Sequence, residues 1–155
     1  MLLSILTSTL LFLQPPTEPT FVKVEVVNNS TIKTVGDKPV VFGLKETAED
    51  FLNGYGYSPN DTMGMPCSIQ IEAISSPQQM LNIIGLKWLK KDYVIHMTAY
   101  IGESKYHVAE IRHTYLFAAF LNVEGNEVPM NKKAFSKTLE SGLKKLLSFD
   151  DKYKV

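Results

Sequence analysis

The chain has 155 residues, 45% of them hydrophobic and 21% charged, with sixteen basic side chains balanced by sixteen acidic ones. That is enough apolar material for one core without disulfides or metals, and it excludes an intrinsically disordered chain. Overall neutrality removes the positive field that non-specific nucleic-acid binding needs, and a single cysteine, Cys67, excludes an intramolecular disulfide or a zinc site built on several thiolates.

Residues 1–14 open as an uncharged apolar run, Met1 to Leu13, interrupted only by Ser4, Thr7, Ser8 and Thr9 and followed by Gln14. The run has the form of a signal-peptide core and falls short of the roughly twenty residues a membrane-spanning helix requires. No Lys or Arg precedes it and no small-x-small cleavage site follows, so two readings stand: an export signal, or an apolar arm kept and docked against the domain or a partner. Pro15, Pro16 and Pro19 make residues 15–20 an extended linker, and a single α+β domain is expected over residues 21–155.

Phe21 to Val27 alternates apolar and charged residues as a half-buried strand does, and Asn28-Asn29-Ser30 turns the chain. Thr31–Val35 and Val40–Phe42 are shorter strand candidates, separated by Gly36, Asp37 and Pro39. Leu44, Ala48, Phe51, Leu52 and Tyr55 recur at helical spacing until Gly54 and Gly56 end the pattern. Residues 57–67 lack periodicity and read as a loop, in which Tyr55 and Tyr57, flanking Gly56, either line a binding surface or cover the helix end. Ser68 to Ile74 alternates again, placing Ile69, Ile71 and Ala73 opposite Gln70, Glu72 and Ile74.

Ser76-Pro77-Gln78-Gln79 has the form of a capping box with proline at the first helical position, which predicts one helical turn before a strand over Ile83 to Trp88. Tyr93–Ile101 and Tyr106–Val123 are the strongest strand signals, joined by a hairpin at residues 102–105; the second run is long enough to require a bend or a bulge. A helix is predicted over Asn131–Phe149, with Phe135, Leu139, Leu143, Leu146 and Leu147 inward and Lys132, Lys133, Lys137, Lys144 and Lys145 outward. The fold class is therefore α+β: a mainly antiparallel, curved sheet, a short helix near residues 44–55, and a C-terminal amphipathic helix packed on the sheet.

Candidate chemistry is sparse. With the hairpin centred on Glu103 and Ser104, His96 lies opposite Ile111, and His96, His107 and His113 share one sheet face. Only the diagonal pair His96 and His113 then comes close enough for joint ligation, and two imidazoles without a carboxylate do not make a zinc site. Glu110 and Arg112, two apart, are expected to pair over Ile95 and Met97. No phosphate loop, nucleophile elbow, metal-ligand motif or dinucleotide fingerprint occurs in the sequence, so no catalytic residue, metal or cofactor is assigned. Seven lysines against three carboxylates from Asn131 onward give that segment a charge of +4, which suits a solvated helix back or a peripheral contact with an acidic partner or membrane.

Together these features point to a non-catalytic exported adaptor or binding domain of the cell envelope or secreted space, acting through protein contacts and not through nucleic acid. Its candidate interaction surface comprises Tyr55, Tyr57, His96, His113, Lys137, Lys144 and Lys145. Two alternatives stand beside it: a structural component of a larger assembly that keeps the N-terminal arm, and a small enzyme using His96 or His113 as general base. An exposed edge on the long strand would also favour pairing with a second copy of the chain.

Overall fold

A computed structural model describes residues 20–117 and 130–155. The leader, nearly all of the linker and the far end of the Tyr106–Val123 run lie outside the described residues. The elements in chain order are β1 (Thr20–Asn28), β2 (Thr34–Val35), β3 (Lys38–Pro39), α1 (Leu44–Gly54), β4 (Tyr57–Pro59), β5 (Met65–Ser75), β6 (Gln78–Ile83), β7 (Leu86–Ile101), β8 (Ser104–Phe117) and α2 (Lys132–Leu146), with a final 3-10 turn at Asp151–Tyr153. The fold is α+β: a curled, mostly antiparallel sheet forms a half-barrel, and α1 and α2 pack on it.

β7 is the spine. β8 pairs along one of its edges, while β5 and then β6 share the other, so that β5 and β6 act as one edge interrupted at Ser76-Pro77. Odd-numbered side chains of β7 from Leu89 onward, except half-buried Lys91, are buried; Tyr93, Ile95, Met97, Ala99 and Ile101 are all at or below 6% exposure. The period of two that reads as a half-buried strand in the sequence thus selects the face on which the helices sit. α2 lies over β7 and β8, and α1 over β1 and β4. The stripe predicted for α2 is the buried one; Asn131 caps the helix by accepting from the Ala134 amide, and the Tyr93 hydroxyl accepts from the Asn131 amide at 2.7 Å, tying the helix start to the sheet.

Four local expectations are corrected. Residues 57–67 are not all loop: β4 and the start of β5 both pair with β1, in parallel. Parallel pairing leaves a weak pattern in a three-residue strand, and the α1 crossover that makes it possible is read only as a helix. The Ser76–Gln79 capping box forms no helix, because β6 completes the edge of β7 and tertiary pairing overrides the local propensity. Val40–Phe42 is a turn after the two-residue ribbon of β2 and β3. In β5 the register shifts between Ile71 and Ala73, so Ile74 joins Ile69 and Ile71 in the core while Ala73 faces out, the reverse of simple alternation.

Between β4 and β5 the chain steps across β1, with the Asn60 amide donating to the Val22 carbonyl at 2.8 Å. Gly64, at φ 124°, sits where a Cβ would meet the Phe21 carbonyl carbon at 2.6 Å. Because the obstacle is backbone, it cannot rotate away. Gly64→Ala is therefore expected to cost about 2 kcal/mol or more in urea-unfolding measurements, whereas Gly54→Ala, at an open position, should leave stability within about 1 kcal/mol of the parent.

Cys67 lies in the core at 1% exposure, and burial pushes its thiol up to about 11. At pH 8 roughly one molecule in a thousand would carry the thiolate. An aromatic disulfide reagent should consequently leave the folded protein unlabelled and react with it promptly in denaturant.

Candidate functional site

Among the described residues the helices seal one face of the sheet and no helix covers the other, and it is on this bare face that His96, His107 and His113 stand. The observed register differs from the expected one by two residues. Gly102, at φ 57°, and Glu103 form a two-residue hairpin loop, so Ile101 pairs with Ser104, and His96 lies opposite Ala109 and not Ile111. All three histidines keep the shared face, since a shift of two preserves side-chain direction.

The shift changes which of them meet. His113 lies opposite Asp92, four residues along β7 from His96, or roughly 13 Å at the ordinary strand rise, so the diagonal pair His96 and His113 does not form. His96 instead neighbours His107, with ring centroids 5.9 Å apart. Beneath them the β5 bulge brings Glu72 against β7, where the Thr98 hydroxyl donates to the Glu72 carboxylate at 2.5 Å and His107 Nδ1 lies 3.0 Å from the same hydroxyl oxygen. With its one proton given to Glu72, the Thr98 oxygen accepts from His107, in an ordered chain from imidazole to hydroxyl to carboxylate. Thr98 is fully buried and presents no surface to a substrate, so the chain fixes the bulge and orients His107.

A second cluster lies lower on the same face. The Asp92 carboxylate receives His113 Nδ1 at 2.7 Å on one oxygen and Lys90 Nζ at 3.0 Å on the other. Burial disfavours the charged form of Asp92, but the hydrogen bonds and charges of His113 and Lys90 outweigh it, and the carboxyl is held below the usual range. Among the described residues no group of three or more His, Cys, Asp or Glu side chains is arranged to hold a metal ion.

The remaining candidates separate. Tyr55 and Tyr57 both pack on Phe149, at centroid distances of 5.5 and 5.6 Å, with Tyr106 against the same ring at 6.0 Å, so they close the end of the core. Lys137 and Lys144 stand on the solvent side of α2. Lys145 turns back onto the sheet and donates to Glu110 at 2.6 Å; this hydrogen bond holds the lysine's pKa above its ordinary value. Ser141 donates to the other Glu110 oxygen at 2.9 Å. Glu110 thus binds the helix and not Arg112: it faces α2, where both of its oxygens are taken by Ser141 and Lys145.

A cleft of about 700 Å³ opens between the β2–β3 ribbon and the two helices, beside Phe42, Leu44 and Phe135. Its cations are already engaged, Lys132 with Asp37 at 3.5 Å and Lys38 over the Phe42 ring at 4.5 Å, which leaves no convergent charge for an anionic ligand.

Two features of the surface carry no sequence motif and emerge only from pairing. Ile111, 52% exposed, and Tyr100, 38% exposed, stand on the bare face around Val94 and His96. The outer edge of β8 is bridged near its start, where Tyr106 pairs with Lys154 and the Val155 amide donates to the Lys105 carbonyl; beyond Tyr106 no strand pairs it among the described residues.

The chain is similar to a solved minor lipoprotein from Acinetobacter baumannii, at 12% identity and a TM-score of 0.41, over 85% of this chain and 87% of that one. It is also similar to a hypothetical protein from Chlamydia trachomatis, at 8% identity and a TM-score of 0.26, over 81% of this chain and 98% of that one. Neither a family model nor a curated protein matches the sequence. Among the described residues no helix is long and apolar enough to cross a membrane.

Because folding lowers the Asp92 pKa, the cluster stabilises the protein above the unfolded value near 3.9 and loses that effect as pH falls through the folded one. Unfolding free energies of the parent and Asp92→Asn should differ by up to about 1 kcal/mol at pH 6, and converge only as the pH falls from the unfolded value near 3.9 through the lower folded pKa.

Proposed function

We propose that this chain is a non-catalytic binding module of the exported or envelope space, which engages a protein partner through the bare face of its sheet and the outer edge of β8. The observation that carries the reading is the one-sided sheet. Both helices lie on the same face, and the opposite face presents Ile111, Tyr100 and Val94 beside an edge strand that remains open, among the described residues, for most of its length. Unpaired edge amides and carbonyls supply main-chain hydrogen bonds to an added strand, and flanking apolar side chains supply register. The histidines support this reading over general-base catalysis. His107 is bound to a buried hydroxyl and His113 to a carboxylate, so both rings are held by structural partners. Export rests on the apolar run at residues 1–14.

Photo-crosslinking in the native host tests the assignment. A photoreactive residue at Ile111 should give one discrete adduct, recovered with the envelope fraction, while the same residue at Glu49 on the outer side of α1 should give none. Lys substituted at Ile111 should abolish the partner's co-purification without changing the melting temperature. Equal adducts from both positions, or none from Ile111, would remove the bare face as the contact surface.

A further inference from the structure

Beyond the bare face, we infer that the β6–β7 hairpin and the adjoining end of β8 form a finger that docks on an anionic lipid bilayer. The two-residue turn between β6 and β7 places Ile84 at φ 53° and Gly85 at φ 73°. Tight hairpin turns of this kind select Asn, Asp or Gly, and a β-branched side chain there is conformationally unfavourable. Ile84 is nevertheless 95% exposed, so the strained position gains almost no packing within the fold. An isoleucine in that position is suited to an apolar environment outside the protein.

The residues behind it continue the pattern. Ile83 and Leu86 flank the turn at 44% and 47% exposure, and with Trp88 and Tyr115 they line a shallow apolar hollow. Trp88 packs on Phe117 at 5.3 Å. Lys87, Lys90, Lys91 and Arg112 follow, and no carboxylate occurs in residues 77–91 or 111–117. Along the finger an aliphatic tip is followed by a band in which aromatic and cationic residues mix, with Lys87 and Trp88 roughly 10–13 Å and Lys90, opposite Tyr115, roughly 20 Å from Ile84 by strand rise. A bilayer surface has the same two levels: hydrocarbon, and an interfacial level that Trp and Tyr favour and where cations reach the phosphates. A protein groove would have no reason to repeat them. Asp92, at the base of the finger, pairs with Lys90 and His113 and so offsets one of these cations, while Glu110 is engaged by Ser141 and Lys145; four basic residues against one carboxylate still leave residues 77–92 and 111–117 at +3.

Trp88 is the only tryptophan in the chain and reports the tip directly. The full-length protein is titrated with vesicles of phosphatidylcholine containing phosphatidylglycerol, and with vesicles of phosphatidylcholine alone. The expected result is a blue shift of Trp88 emission, and quenching by brominated acyl chains, with the anionic vesicles, both weakened by salt. Ile84→Asn, which suits the left-handed turn, should retain or raise the melting temperature while weakening the Trp88 response by roughly tenfold or more. Lys87→Gln should weaken it by about fivefold.

Following Trp88 and not simple pelleting separates the finger from any contribution of residues 1–14. An unchanged spectrum with anionic vesicles would overturn the inference. So would an equal response in Ile84→Asn, or a blue shift driven by protein concentration without lipid, which would assign the tip to a second copy of the chain. None of these outcomes bears on crosslinking at Ile111.

Discussion

Along β7, the side chains of Tyr93, Ile95, Met97, Ala99 and Ile101 are driven out of water beneath the helices, and the other parts of the molecule take their positions from that burial. Removing four large side chains of this kind from water contributes about 6–12 kcal/mol before ordering entropy is counted, which is comparable with the whole net stability of a small domain. A one-residue slip of either neighbour would turn its own apolar face to solvent, so the register of β5 and β8 is fixed by the same term. The Tyr93 hydroxyl extends the effect to α2, since the ring that fills the core also accepts from the amide at the helix start.

The bare face follows as a consequence. Once odd positions of β7 are committed to the core, His96 and Thr98 must face outward, and β8 brings His107 and His113 to the same side. Thr98 is buried on that side only because the β5 bulge lowers Glu72 over it, and the carboxylate and imidazole together satisfy its hydroxyl. A polar chain that could be mistaken for catalytic machinery thus meets the requirements of a bulge. The Lys90–Asp92–His113 cluster similarly neutralises a carboxylate that the strand places at the boundary between the bare face and the finger.

The two proposed surfaces use different physics. The region around Ile111 offers an open strand edge, where main-chain hydrogen bonds dominate and the partner must itself supply a strand. The β6–β7 tip offers side chains graded from apolar to cationic, where no particular shape is required of the partner. They lie on one continuous sheet, so a module docked at its tip would hold its β8 edge at a fixed angle to the bilayer.

The sequence by itself determined the class of fold and most of its elements: β1, α1 and α2 are visible as periodicities of two and 3.6, and the long β7–β8 hairpin as an apolar alternation around Gly102. It also determined that Cys67 has no partner for a disulfide within this sequence and that no local motif in it places catalytic groups together. The tertiary structure decided the rest, for reasons local patterns do not contain. The parallel pairing of β1 depends on a crossover through α1. The extended state of residues 78–83 depends on a vacant edge of β7, and the inversion at Ile74 on a bulge that only pairing reveals. Which histidine meets which depends on a hairpin loop whose position the sequence left two residues out of register. The exposed tip is likewise a tertiary fact. Ile83, Ile84 and Leu86 read as part of one strand in the sequence, and only the hairpin turn at Ile84 and Gly85 makes these apolar residues a surface.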